Sequence, residues 1–129
     1  MPIADTSFVI DLMRRDHGAI SLFEEFEQQG IALQTTGITA LELYKGAFIS
    51  GTADNRLKVA ALLELFTVIP IDETIYEAFG RISSALALRG DAIGDFDEVI
   101  ATLALSYDGE IITRDRHFSK IPHLKIISY

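Results

Sequence analysis

Apolar residues recur along this chain with two periods, and the switching between them predicts its elements. Residues 2–4 are a short apolar start that ends at Asp5. Residues 6–13 then place Phe8, Val9, Leu12 and Met13 at helical spacing, stopped by Arg14-Arg15-Asp16. A second helix runs through Ala19, Ile20, Leu22, Phe23 and Phe26 and ends at Gly30. Short apolar or β-branched runs at 31–35, 67–71, 109–113 and 124–128 read as strands. Helical stretches lie between them. One is opened by Thr39, carries Leu41, Leu43, Tyr44, Ala47, Phe48 and Ile49, and is closed by Gly51; another covers 55–66. A third is capped by Asp72 and runs through Ile75, Phe79, Ile82, Leu86 and Leu88 to Gly90, and a fourth runs from Asp95 to about Ser106. Strands that alternate with helices, with little room for hairpins, predict an α/β fold. Its mostly parallel five-stranded sheet would be covered on both faces, with more helix than strand.

No repeat, low-complexity tract or linker composition interrupts the 129 residues, so residues 1–129 are expected to form one domain. Apolar residues make up 49%, which favours a folded globule over a disordered chain. The absence of Cys rules out disulfides and thiolate metal sites and is compatible with a reducing cytoplasm. The N-terminal Met-Pro-Ile-Ala-Asp lacks the basic region of a signal peptide. The nearest approach to a membrane span, residues 59–71, contains Glu64 and Pro70. A soluble, cytoplasmic protein without membrane contact is expected.

A net charge of −8 argues at first against nucleic acid as a partner. Position changes that picture. In open α/β sheets, sites form outside the carboxyl ends of the strands, where strand order reverses. Asp5 directly follows the first strand, and Asp115, in Thr113-Arg114-Asp115, follows the fourth. Glu42 lies a turn into the helix after the second strand, and Asp97 opens the helix that leads into the fourth. Four carboxylates distant in sequence would thus share one rim of the sheet. Crowded like charges are unfavourable unless a cation is present, and each divalent ion cancels two of them. Each acid also has an ordinary role open to it. Asp5 and Asp115 could cap the helical turns that follow them, while Thr39 with Glu42 and Asp95 with Glu98 both have capping-box spacing. The signal lies in the set. Asp95 and Asp97 sit about 200° apart around a helix, so one metal would not face both. Asp95 is assigned to the cap and Asp97 to the metal, and Glu98 reads as a cap partner or a solvated acid.

Carboxylate oxygens are hard ligands suited to Mg²⁺ or Mn²⁺. With such ions, water can attack a phosphodiester without a substrate 2′-OH, leaving 5′-phosphate and 3′-hydroxyl ends. Asp5 and Asp97 are expected to hold the primary metal, supported by Glu42 and Asp115, with Asp95 as a further candidate. Thr6, Ser7 and Thr113 are candidate hydroxyls to bond ligand oxygens. Arg114 and Arg116 lie nearest a proposed ligand and could contact a phosphodiester backbone; Arg14, Arg15, Lys45 and Arg89 are more distant candidates. His17, His117 and His123 lack the paired spacing of zinc ligands.

These residues resemble a known family. Ile3-Ala4-Asp5-Thr6-Ser7, Thr39-Ala40-Leu41-Glu42-Leu43, Asp97-Glu98-Val99-Ile100-Ala101-Thr102 and Ile112-Thr113-Arg114-Asp115, with Phe118 close behind, resemble the PIN domain in order and spacing. More narrowly, the chain resembles the VapC-like ribonuclease toxins of prokaryotic toxin–antitoxin pairs. The resemblance implies a three-layer α/β/α sandwich, Mg²⁺ or Mn²⁺ at Asp5, Glu42, Asp97 and Asp115, and RNA cleavage. It also implies a cognate antitoxin lying over the groove, and a homodimer. Leu43, Tyr44, Phe48, Leu62 and Phe66 could serve such interfaces or simply be core. The extra Asp95 and a charged Glu98 depart from the family's pattern. Two other readings compete. A phospho-receiver would want adjacent acids after the first strand and a Lys after a late one, which are missing here. A non-catalytic PIN-like RNA- or protein-binding module would have lost an acid, which this chain has not.

Overall fold

The computed structural model describes residues 1–129 and is built on a five-stranded sheet in which every pairing is parallel. In chain order, β1 (Ile3–Ala4) is followed by α1 (Thr6–Met13), α2 (His17–Gln28), β2 (Gln34–Thr36), α3 (Gly37–Ser50) and α4 (Ala53–Leu63). Then come β3 (Thr67–Ile69), α5 (Tyr76–Arg89), α6 (Asp95–Ser106), β4 (Glu110–Ile112) and β5 (Lys125–Ile127). No helix is long and apolar enough to cross a membrane. The expected α/β class, strand number and parallel sheet are all found.

Side chains on successive strand residues point to opposite faces, and this divides the core in two. Ile3 and Ile111 join α5, α6 and Phe118 on one face. Ala4 and Ile112, one residue later in each strand, pack with Phe8, Val9, Ala19, Leu43, Ala47 and Val59 on the other. Neither face of the central strands meets water, and the result is the three-layer α/β/α sandwich. Of the apolar positions considered for interfaces, Leu43 and Phe66 are core, and Leu62 packs half-buried against it. Tyr44 and Phe48 are exposed.

The sheet order β3-β2-β1-β4-β5 places the reversal between β1 and β4. From β1 the chain moves outward through β2 to β3, then returns to the other side of β1. The carboxyl ends of these two strands are joined where the Asp5 amide donates to the Ile112 carbonyl at 3.1 Å. Asp5 and Thr113 stand at this point.

Several boundaries differ from the sequence expectation, each for a local reason. The strand expected over 31–35 starts only at Gln34, where pairing with Ile3 and Thr67 becomes available. α3 starts at Gly37, two residues earlier than expected, because Thr36 is its N-cap and accepts from the Thr39 amide at 3.2 Å. The helix expected over 55–66 is shifted to 53–63, with Thr52 as its cap. β3 ends before Pro70, which has no N–H for a ladder. Asp72 does cap the next helical stretch, but the first turn there, Glu73–Ile75, is a 3-10 helix. Asp95 is not the cap of α6. Gly94 is, with φ 104°, and Asp95 is the first helical residue.

Candidate metal centre at the switch point

Asp5 is held before anything binds it. It caps α1, accepting from the Phe8 amide through Oδ1 at 3.0 Å. The same oxygen takes the Ser7 hydroxyl at 2.7 Å, and Oδ2 takes the Thr113 hydroxyl at 2.6 Å. Both hydroxyl protons are therefore committed to Asp5, so the 3.3 Å approach of Ser7 Oγ to Thr113 Oγ1 is a contact without a proton between them. A carboxylate offers about four lone-pair directions, and these donors leave one on Oδ2. Burial drives the Asp5 pKa up, the three hydrogen bonds pull it down, and the nearby charge of Asp115 adds to the rise. The net displacement is upward. Asp5 is thus both a cap and a member of the cluster.

Glu42 is free of the capping box because Thr36, not Thr39, starts the helix. Its Oε1 accepts from Thr6 Oγ1 at 2.7 Å. Thr6 lies 3.0 Å from Thr39 Oγ1 and has spent its only proton on Glu42, so Thr39 must be the donor to Thr6. A two-hydroxyl relay thereby links α1 to α3. Asp115 caps the 3-10 turn Arg116–Lys120 by accepting from the His117 amide at 2.9 Å, and it pairs with His117 Nδ1 at 3.0 Å. The Asp115 amide donates to Thr113 Oγ1 at 2.9 Å, tying this turn to the group that holds Asp5.

Asp97 differs from the others. It lies half-buried in the first turn of α6, with no hydrogen bond acting on its carboxyl. Burial and then the charges of Asp115, Glu42 and Asp5 push its pKa up to about 6, with His117 opposing. Those three charges are the other members of the set proposed from sequence, so all four share one electrostatic neighbourhood. As the side chains stand, no three of them close tightly enough to grip one ion. Asp95 is exposed and is not among the charges that raise Asp97. Glu98, expected to be solvated or a cap partner, is instead 2% exposed and bonded to Ser83 and the Ile93 amide. The donor set is all oxygen apart from the His117 that faces Asp115, and such hard ligands fit Mg²⁺ or Mn²⁺ rather than softer metals.

Around this centre, Arg114 is fixed by Asp11, a buried acid on α1, at 2.9 Å from its Nε. The same Asp11 oxygen accepts from the Tyr129 hydroxyl at 2.6 Å. Burial and this bond to Asp11 drive the Tyr129 pKa upward, so the phenol keeps its proton as a donor. Arg116 is exposed and has no acidic partner within ion-pair distance. Asp11, Thr39, His117 and Tyr129 were not singled out as site residues from sequence. An acid among Phe8, Val9 and Leu12 was the available hint for Asp11; nothing local marked the others. A groove of about 350 Å³ between α1, α3 and α4 runs up to Glu42, with Arg14 and Lys58 in its wall.

A parallel α/β/α sandwich with acids gathered at its β1/β4 switch point defines a class, and comparison with known proteins places the chain within it. The sequence model of the PIN domain matches residues 3–124. Ribonuclease VapC1 of Haemophilus influenzae (strain R2866) is 31% identical, over 94% of this chain and 92% of that protein. Ribonuclease VapC19 of Mycobacterium tuberculosis (strain H37Rv) is 29% identical, over 97% and 98%. Among solved structures, VapBC-1 from nontypeable Haemophilus influenzae superposes with a TM-score of 0.80 at 28% identity, covering 98% of this chain and 96% of that one. VapBC2 from Rickettsia felis, bound to a DNA fragment from its promoter, gives 0.86 at 20% identity over 100% and 99%, a likeness of fold alone. The chain belongs to the PIN domain family, on its VapC branch. That membership sets aside the phospho-receiver reading.

Proposed function

We propose that this chain is a divalent-metal-dependent endoribonuclease, the toxin of a toxin–antitoxin pair, with residues 1–129 acting as one nuclease unit. The observation that carries the proposal is Asp97, an acid with no protein donor whose charge is opposed by burial and by three other carboxylates. At neutral pH the ionised cluster carries a repulsive cost that a cation in its midst would offset. Asp5 and Asp97 would hold Mg²⁺ or Mn²⁺, with Glu42 and Asp115 supporting that ion or a second. Bound there, the ion supplies Lewis acidity for the phosphate and lowers the pKa of water to make a nucleophile near pH 7.

The remaining work falls to the chain. Ser7 and Thr113 hold both oxygens of Asp5, and Thr6 holds Glu42, so these ligands need little reorganisation. Arg114, fixed by Asp11 through Nε, keeps its outer N–H groups for a phosphate, and exposed Arg116 is a second, looser contact. RNA preference would come from shape and single-strand contacts, with products carrying 5′-phosphate and 3′-hydroxyl. VapBC-5 from Mycobacterium tuberculosis, a relative of this fold, is a member of a family of toxin–antitoxin systems, which supports a cognate antitoxin here. A homodimer in the cytoplasm completes the reading, with exposed Leu41 and Phe48 on α3 available as apolar contact surface.

The test is cleavage of a panel of single-stranded and structured RNAs with Mg²⁺ or Mn²⁺. Asp5→Asn and Asp97→Asn should each abolish cleavage while the far-UV spectrum stays native. Full activity in either would contradict the assignment. Intact RNA from wild-type protein with demonstrated Mn²⁺ binding would favour a non-catalytic binding module instead.

A further inference from the structure

The turn that carries Asp97 lacks the usual means of holding itself in place. Its N-cap, Gly94, has φ 104° and ψ 145°, a conformation that Ser, Thr and Asp rarely adopt, and no side chain caps the helix. Helix ends fray when their first amides have no partners. The apolar anchors of α6, Ile100, Ala101, Leu103 and Ala104, all lie beyond this turn.

Beneath the turn is Glu98, a carboxylate 2% exposed that takes no part in the acidic cluster. Its Oε1 accepts from Ser83 Oγ on α5 at 2.5 Å, and its Oε2 accepts from the Ile93 amide at 3.0 Å. Its own amide donates to the Gly94 carbonyl at 3.0 Å, and its carbonyl takes the Thr102 hydroxyl at 2.7 Å. A buried carboxylate persists only where its oxygens are satisfied, and both oxygens here are spent outside α6, on α5 and on the approach to Gly94. We propose that Glu98 is a positioning residue for Asp97. It clamps α5 and the segment before Gly94 to the first turn of α6. Consecutive helical residues project about 100° apart, so a side chain locked inward at 98 fixes the rotation at which 97 faces the cluster. This inference rests on Asp97 being a metal ligand.

The experiment compares wild-type protein with Glu98→Gln, Glu98→Leu and Ser83→Ala, all full length. Gln can keep both bonds, its carbonyl taking the Ile93 amide and its N–H giving to Ser83 Oγ, whereas Leu fills the volume and keeps neither. Three readouts are taken: hydrogen exchange at the bonded amides 93 and 98, Mn²⁺ affinity by calorimetry, and kcat and KM on a fluorescent single-stranded RNA. For Glu98→Leu, exchange at amides 93 and 98 should quicken at least about tenfold while amides 100–104 keep their protection. Mn²⁺ affinity and kcat should fall about 10–100-fold, with KM changed less than about twofold. Glu98→Gln should stay within about threefold of wild type throughout. Ser83→Ala, the milder change, should lie between them, and it carries the test if the Leu protein does not fold. Wild-type exchange and Mn²⁺ affinity in the Leu or Ala protein would overturn the proposal. So would a Gln protein as impaired as the Leu protein. If exchange follows the expected order but wild-type protein binds no Mn²⁺, the clamp stands and the metal-dependent nuclease reading falls.

Discussion

Two helix N-termini meet at the switch point, and they treat their acids in opposite ways. At the start of α1, Asp5 sits in the N-cap position with three donors on its oxygens and 4% of its surface exposed. At the start of α6, Asp97 sits three residues into the helix with none, half open to solvent and facing three other acids. The first is preorganised: protein donors hold its oxygens and offset part of the cost of burying its charge. The second is left for a cation to stabilise. A site built only of residues like Asp5 would bind metal but tolerate its loss. One built only of residues like Asp97 would repel itself open. Together they give a rigid ligand and a conditional one.

The sharpest way to break this contrast is to remove each acid and follow activity and stability separately. Loss of a ligand should cost cleavage at least about a hundredfold in both Asp5→Ala and Asp97→Asn, since metal stabilisation of the transition state is worth several kcal/mol. Stability should diverge. Asp5→Ala orphans the Phe8 amide and two hydroxyls and should destabilise the metal-free protein by about 1–3 kcal/mol in urea. Asp97→Asn should stabilise it at pH 7.5. The folded pKa of Asp97 lies above its ordinary value of 3.8, at about 6. Its stabilising contribution is therefore complete below pH 3.8 and is lost as pH rises through 6. The advantage of Asp97→Asn over wild type should accordingly be absent near pH 4 and grow to a plateau above pH 7. Equal shifts at both pH values would show that the charge of Asp97 carries no strain.

Metal should reverse the strain. Mn²⁺ at a hundred times its Kd should raise the melting temperature of wild-type protein by about 10 °C, as expected from about 2.7 kcal/mol of linkage. The shift should shrink at pH 5, where Asp97 is mostly protonated, vanish with EDTA, and be much reduced in Asp97→Asn. An undiminished shift in that variant would place the ion elsewhere.

The same two termini show what could be seen in the sequence. The alternation of apolar periods was enough for the α/β class, the parallel sheet and the placement of Asp5 and Asp115 after strands, because those depend on local pattern. The role of Asp95 was not legible. Its spacing to Glu98 fits a capping box, but the positive φ of Gly94 moves the cap back by one residue and leaves Asp95 in solvent. Glu98 looked like a surface acid because its partners, Ser83 and the Ile93 amide, meet it only through the packing of α5 on α6. The choice between Thr36 and Thr39 as cap, which frees Glu42, turns on where β2 stops, and two threonines three residues apart give no local preference.

Between the two termini lies the Thr39–Thr6–Glu42 relay, and cutting it should have an intermediate effect. Thr6→Val keeps the shape and removes the proton given to Glu42. Removal of such supporting hydrogen bonds typically costs about 10–100-fold in metal affinity or activity, and calorimetry with Mn²⁺ beside the cleavage assay reads both. An effect as large as that of Asp97→Asn would mean that Thr6 itself contacts the ion or substrate.

The smallest effect is expected at the rim. Asp11 holds Arg114 by one bond to Nε, and the guanidinium is more than half exposed, so the pair contributes little to stability, within about 1 kcal/mol. Its value is geometric: a planar guanidinium fixed at Nε presents its other N–H groups in one direction. Asp11→Asn should therefore raise KM for RNA about threefold to tenfold with little change in kcat, and Arg114→Lys should do the same, because an ammonium on a flexible stem cannot be aimed in that way. Combining the two should add nothing beyond the larger single effect, since both remove one phosphate contact. Additive losses would instead give Asp11 a role of its own, through Tyr129 and the packing of that ring on Phe8 at 5.0 Å.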